Sequence, residues 1–314
     1  MSLLPHQPAH RLDLRAEERR WLVTGLWAEE AVGIIGGEPK CCKSFLALDL
    51  AVAVAAGVPC LRRFPVTRPG RVLLYAAEDA LHIVRQRLEG LCLAAGVQLS
   101  SLDVQVITSP TLRLDLEADR ANLDETVAKL QPRLLVLDPF VRLHRIDENA
   151  SGEVAPLLAC LRELQRRHAV AVALVHHAKK GGGRARAGQA LRGSSEFHAW
   201  GDSNLYLRRQ GDDLTLTVEH RAAASVPAIP LVLAERGAAL ALEVLDRTPT
   251  AEPITSSVDE RITQALAAAT GPVPLAELRT ACRVRNATLR ERLAALTAVG
   301  QLVRVADGYR LATA

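Results

Sequence analysis

Short apolar runs alternate with stretches of helical periodicity from residue 31 to residue 175. Ala31–Ile35, Arg71–Tyr75, Val104–Ile107, Leu134–Leu137 and Val170–Val175 read as strands. Lys43–Ala56, Leu81–Ala95, Ala121–Leu130 and Val154–Arg167 read as helices. The strands lack the apolar–polar alternation of a half-solvated sheet, so both of their faces are buried. Strands separated by helices predict an α/β fold with a parallel sheet covered on both sides. After residue 203 the helices stop. Leu205–Arg208, Leu214–Glu219, Ile229–Leu233 and Ala239–Leu245 are joined by short turns and predict antiparallel strands extending that sheet.

Thr248–Ser257 (TPTAEPITSS) has linker composition. The expected organisation is therefore a large domain over 1–247, a linker over 248–257 and a small domain over 258–314. In the last, Val258–Ala269 and Leu275–Cys282 have helical periodicity. Ala287–Val299 is a third helix with Asn286 as N-cap and Gly300 closing it. Leu302–Val305 and Tyr309–Leu311 flank Asp307-Gly308, a hairpin signal. Three helices followed by a hairpin resemble a winged helix-turn-helix.

Composition narrows the picture. With 49 % hydrophobic residues the chain can bury a core, and with 3 % aromatics that core must be aliphatic. The net charge of +4 is too mild to decide on nucleic-acid binding, so its distribution matters. Residues 258–314 hold eight arginines against five acids, a net of +3. Arg283, Arg285, Thr288 and Arg290 fall on the turn and start of the third helix, where a recognition helix meets the major groove. A winged helix that binds protein instead is the alternative. Residues 176–192 contain Lys179, Lys180, Arg184, Arg186 and Arg192 with no acid. Such a segment can grip single-stranded DNA by charge, whatever its sequence. The six cysteines show no metal-site spacing and fit reduced thiols in a cytoplasm. Residues 1–20 lack the apolar stretch of a signal peptide, and the longest apolar run, Leu46–Val58, is short and contains Asp49, so no membrane association is expected.

Candidate chemistry lies at the ends of the first, second, fourth and fifth strands. The first runs into Gly37-Glu38-Pro39-Lys40-Cys41-Cys42-Lys43-Ser44, followed by Phe45 and a helix. This is a phosphate loop with Cys42 where the second glycine normally stands. Its backbone N–H groups would cradle the phosphates of ATP, Lys43 would reach the β- and γ-phosphates, and Ser44 would ligate Mg²⁺. A cysteine forced to positive φ there would cost about 1–2 kcal/mol. Leu134–Asp138 reads as a Walker B strand whose Asp138 holds Mg²⁺. Glu78, after the second strand, is the candidate general base, and Asp79 a cap for the next helix. His176 and His177 end the fifth strand, His177 as the candidate γ-phosphate sensor.

These residues, with Ala77-Glu78-Asp79, Arg142-Leu143-His144, Glu148-Asn149-Ala150-Ser151-Gly152, Val175-His176-His177-Ala178, Lys180-Gly181 and Arg192-Gly193-Ser194-Ser195, resemble the RepA family of hexameric plasmid replicative helicases, within the RecA/DnaB-type ATPases. The likeness spans roughly residues 20 to 245. It implies a ring-shaped homo-oligomer with ATP sites between subunits, DNA as partner and replication of a plasmid or other mobile element. It also implies Glu78 as base, Asp138 as Walker B acid and His177 as sensor. The late-strand Lys-x-Arg of DnaB-type proteins reads Glu219-His220-Arg221 here, which makes Arg221 the candidate trans-acting finger, with Arg208 and Arg209 behind it. A non-motor ATPase switch and a DNA-binding protein with an impaired nucleotide site are the rival readings.

Overall fold

The computed structural model describes residues 6–12, 21–177, 196–210, 213–223, 226–236, 239–245, 258–269, 271–282, 286–305 and 307–312. They fall into two compact units, Met1–Arg247 and Thr248–Ala314.

The larger unit opens with a hairpin, β1 (Trp21–Val23) and β2 (Trp27–Ala28). Its strands are too short to show a period, and the sequence pattern missed it. Next come β3 (Val32–Gly37), α1 (Lys43–Ala56), β4 (Val72–Ala76), α2 (Leu81–Ala95), β5 (Val104–Val106), α3 (Glu117–Leu130), β6 (Leu134–Asp138), α4 (Ser151–His168) and β7 (Ala171–His177). The chain then forms α5 (Glu196–Trp200), β8 (Ser203–Gln210), β9 (Asp213–His220), β10 (Ile229–Arg236) and β11 (Ala239–Val244). Helix α3 begins a turn earlier than its apolar period indicates. Glu117 and Asp119 favour a helix start, and Asp119 accepts the Arg113 N–H at 2.7 Å.

Apart from the β1–β2 hairpin, the described strands of this unit form a mostly parallel nine-stranded sheet in the order β11-β10-β9-β8-β3-β7-β6-β4-β5. The four strands expected after residue 203 do pair antiparallel with one another, and they join the rest of the sheet through a parallel contact. β8 pairs parallel with β3, and only then do β9, β10 and β11 run antiparallel. The connection from β7 contains α5, a helix that the sequence pattern leaves unassigned, and a long connection of this kind is what parallel strands require. Gly33 permits the close approach, because a Cβ there would collide with the Ser203 carbonyl.

Strand alternation divides the core in two. Ile35, Val72, Leu74, Leu134, Val136, Ala173, Val175, Leu205 and Leu207 pack with α1 and α2 through Leu46, Leu50, Leu88 and Leu91. Ile34, Leu73, Tyr75, Leu135, Leu137, Val172 and Leu174 face α3, α4 and α5 through Val127, Leu158, Leu161 and Phe197. Any strand-end residue is thereby assigned to one face by its parity. Asp49 of α1 is buried and ties the loop after that helix: it accepts the Leu61 N–H at 2.7 Å and the Arg62 guanidinium at 2.6 Å. Burial pushes its carboxyl pKa up, and Arg62 opposes the shift.

The smaller unit contains α6 (Val258–Ala267), α7 (Leu275–Cys282), α8 (Asn286–Ala298), β12 (Leu302–Val305) and β13 (Gly308–Leu311). Ile262, Leu266, Leu278, Leu289, Leu293 and Leu302 form its core. The strands pair with Val305 opposite Gly308, so β13 begins one residue earlier than the sequence pattern reads it. Val273 exchanges backbone hydrogen bonds with Tyr309, adding a third short strand segment. Gly308 (φ +147°) is required, since a Cβ would strike the Val273 carbonyl.

Candidate functional site

The loop between β3 and α1 is wound by three unusual backbone conformations: Gly37 (φ +156°), Lys40 (φ +64°) and Cys42 (φ +66°). A Cβ on Gly37 would collide with the Leu207 carbonyl and Cys41 Sγ. Cys42 is left-handed, as a glycine there would be, with ψ +25°. No side chain caps α1, so its first N–H groups remain directed at the loop's concavity. Lys43 is 5 % exposed, and its Nζ donates to the Glu38 carbonyl at 2.8 Å, inside the loop.

The acids arrive from neighbouring strands. β4 and β6 pair in register, Ala76 opposite Asp138, and Ala77 N–H donates to the Asp138 carbonyl at 2.7 Å. Asp138 is 9 % exposed, and burial is the main reason its pKa rises to about 6. The Ser44 hydroxyl hydrogen-bonds to it and pulls the value back down; Glu78 and Asp79 raise it, and Lys43 lowers it. Ser44 and Asp138 thus form a hydroxyl–carboxylate pair beside the lysine, a donor set of hard oxygens that suits Mg²⁺. Glu78 is half-exposed, two residues beyond β4, and Arg142 Nε lies 3.4 Å from its Oε1.

Parity places the remaining strand-end groups. Asp138 shares its face with Leu134 and Val136, and His177 with Ala173 and Val175; this is the face of α1 and the phosphate loop. His176 points to the other face. It stacks on Phe197 at 4.2 Å between ring centroids, and Phe140 packs edge-on to it at 5.9 Å. Phe140 also meets His144 at 4.3 Å.

Other sequence-derived candidates sit as follows. Phe45 lies in the first turn of α1 with the Arg87 guanidinium 5.3 Å from its ring centroid. Asp79 does not cap α2. Ala80 occupies the N-cap position, and the Asp79 carboxylate instead pairs with Arg87. Arg221 follows β9 at the end of the sheet opposite the phosphate loop, because β9 runs antiparallel to β8. There it bonds the Ala199 carbonyl and lies 3.5 Å from Asp202. Lys179, Lys180, Arg184, Arg186, Arg192, Arg283 and Arg285 lie outside the described residues, as does the Thr288 side chain. Arg290 is exposed on α8. The sequence reading missed two arginines used inside the small unit: Arg292 pairs with Asp259 of α6, and Arg261 donates to the Cys282 carbonyl at 2.8 Å.

A strand, phosphate loop and helix, with acids at the ends of two further strands of a mostly parallel sheet, define a P-loop NTPase of the RecA type. Residues 2–183 match the family described as the AAA domain. That match covers more than half of the chain, and the chain belongs to this family. Among solved structures it is similar to a DnaB-like replicative helicase described with its interactions with primase. The identity is 13 % over 68 % of this chain and 57 % of that one, with a TM-score of 0.52. It is also similar to a KaiC-like protein from the hyperthermophilic archaeon Pyrococcus horikoshii OT3, at 13 % identity over 71 % of this chain and 93 % of that one, with a TM-score of 0.48. At such identity the likeness is one of fold. Among the described residues no helix is long and apolar enough to cross a membrane.

Proposed function

We propose that the chain is an ATP-hydrolysing, Mg²⁺-dependent motor of the replicative-helicase type that acts on DNA as a ring-shaped homo-oligomer. The observation that carries this reading is the meeting of Lys43, the Ser44–Asp138 pair and Glu78 around one left-handed phosphate loop. ATP would lay its phosphates on the open N–H groups of α1, with Lys43 turning from the Glu38 carbonyl to the β- and γ-phosphates. Ser44 and Asp138 would hold Mg²⁺, which when bound supplies positive charge to the phosphate oxygens. Glu78 would orient a water in line with the γ-phosphate and take its proton. His177, on the same face, would report whether the γ-phosphate is present. Arg221 would serve as a finger only toward a neighbouring subunit, after leaving Asp202.

The basic residues Lys179, Lys180, Arg184, Arg186 and Arg192 would track single-stranded DNA in the ring's pore. We read the smaller unit as a winged helix that binds duplex DNA through Arg283, Arg285, Thr288 and Arg290. The system served would be replication of a plasmid or other mobile element.

The test is ATP turnover with and without single-stranded DNA, together with strand separation on a forked duplex, for wild type and Glu78→Gln. Wild type should be DNA-stimulated and should unwind the fork. Glu78→Gln should lose about 100-fold or more in turnover, the usual worth of a positioned base. Hydrolysis without unwinding would favour the non-motor switch. Absence of ATP binding restored by Cys42→Gly would favour an impaired site.

A further inference from the structure

Arg209 stands beside the phosphate loop of its own chain. β8 runs parallel to β3 with Leu207 opposite Gly37, so its last residues emerge directly beside the phosphate loop. Leu205 and Leu207 pack on the α1 face, and Arg209 continues that parity, whereas Arg208 takes the other side with Tyr206. The Arg209 guanidinium lies 3.3 Å from Cys42 Sγ, at the position of the missing glycine. Its charge is also felt by the Cys41 thiol, whose burial-raised pKa is lowered in part by Lys43 and Arg209.

A thiol is a weak acceptor for a guanidinium. Among the described residues no carboxylate pairs with Arg209. Lys43, Arg209 and the positive end of α1 therefore bring three sources of positive charge to a single loop, and an incoming polyanion would give the Arg209 guanidinium the acidic partner it lacks. A planar fork at this position matches a phosphate's oxygens.

We propose that Arg209 binds the phosphates of the nucleoside triphosphate in cis, as a second cation beside Lys43. This rests on the ATP-binding reading above. Cys42 marks the reach of the guanidinium: the thiol occupies the edge of the cradle that the phosphates border.

The experiment is equilibrium titration of wild type, Arg209→Ala, Arg209→Lys and Cys42→Gly with a fluorescent ATP analogue and Mg²⁺, with thermal melting to confirm folding. Arg209→Ala should bind at least about tenfold more weakly, as expected for loss of a charge-assisted hydrogen bond. Arg209→Lys should recover part of that loss, and Cys42→Gly should bind as wild type or better. Unchanged affinity in Arg209→Ala, or equal losses in Arg209→Ala and Cys42→Gly, would overturn the proposal; equal losses would mean that the arginine only braces the loop through the sulfur. Wild type that binds no nucleotide would remove the ATPase reading, and this inference with it. A mixture of Arg209→Ala and Lys43→Ala subunits should hydrolyse ATP no faster than the two variants do separately. Recovery on mixing would place Arg209 in the neighbour's site and refute the cis assignment.

Discussion

Asp138 offers a direct check on the electrostatics of the pocket, because its charge opposes folding, whereas the proposed function needs that charge for the metal. Its carboxyl is buried and titrates at about 6 in the folded chain, against 3.8 for the free side chain. A raised folded value means that the native state holds the proton more tightly than the unfolded state. The stabilisation from protonation is complete below the unfolded value and is lost as pH rises through about 6. Each unit of displacement is worth about 1.4 kcal/mol, so ionising Asp138 costs the apo protein about 3 kcal/mol at alkaline pH. About 1.4 kcal/mol of that falls between pH 5 and 8, the window that chemical denaturation can scan. The Asp138→Asn variant keeps the shape and an acceptor for Ser44 but has no charge to bury. In urea, with EDTA present, it should gain about 1.4 kcal/mol on wild type as pH goes from 5 to 8, and melt several degrees higher at pH 8. Saturating Mg²⁺ and ATP should reverse the order, since only the carboxylate serves the metal. Parallel stability–pH profiles for the two proteins would refute the reasoning.

Replacing Cys42 by glycine removes a side chain from a left-handed position and should stabilise the larger unit by about 1 kcal/mol, read as a rise in denaturation midpoint at unchanged slope; an unchanged or lower midpoint would contradict the strain. Arg292→Ala breaks a part-exposed pair between α8 and α6 and should lower the unfolding midpoint of the smaller unit slightly. Gly308→Val puts a Cβ against the Val273 carbonyl and should cost more than Arg292→Ala in the same assay. Removing residues 248–314 should weaken duplex binding in a salt-dependent titration while leaving ATP turnover in place, and unchanged affinity would point to a protein-binding role for that unit.

What sequence showed and what it hid divide along physical lines. The bounds of α1, α2 and α7 were readable because periodicity was unbroken and, for α1 and α2, Gly57 and Gly96 close the helix in the left-handed conformation. The phosphate loop was readable because its chemistry depends on a string of neighbours. The direction of β8 was not: pairing polarity follows from how the chain returns after β7, and the apolar pattern of a parallel strand differs little from that of its antiparallel neighbours. The placement of Arg209 beside the phosphate loop was hidden for the same reason, because the adjacent Arg208 and Arg209 differ only in face, and face follows from the register of β8 on β3. Asp79 was misassigned because a short acid before a helix commonly caps it, and only the fold brings Arg87 within its reach.

The tip of β7 carries two imidazoles on opposite sides of one ribbon, His177 on the face of the phosphate loop and His176 against Phe197 of α5. A strand end is stiff, and its successive side chains turn together. Under the proposed function, a twist that let one ring follow a phosphate would tilt the other against its aromatic neighbour, and the two faces of the sheet would be coupled through a single peptide unit.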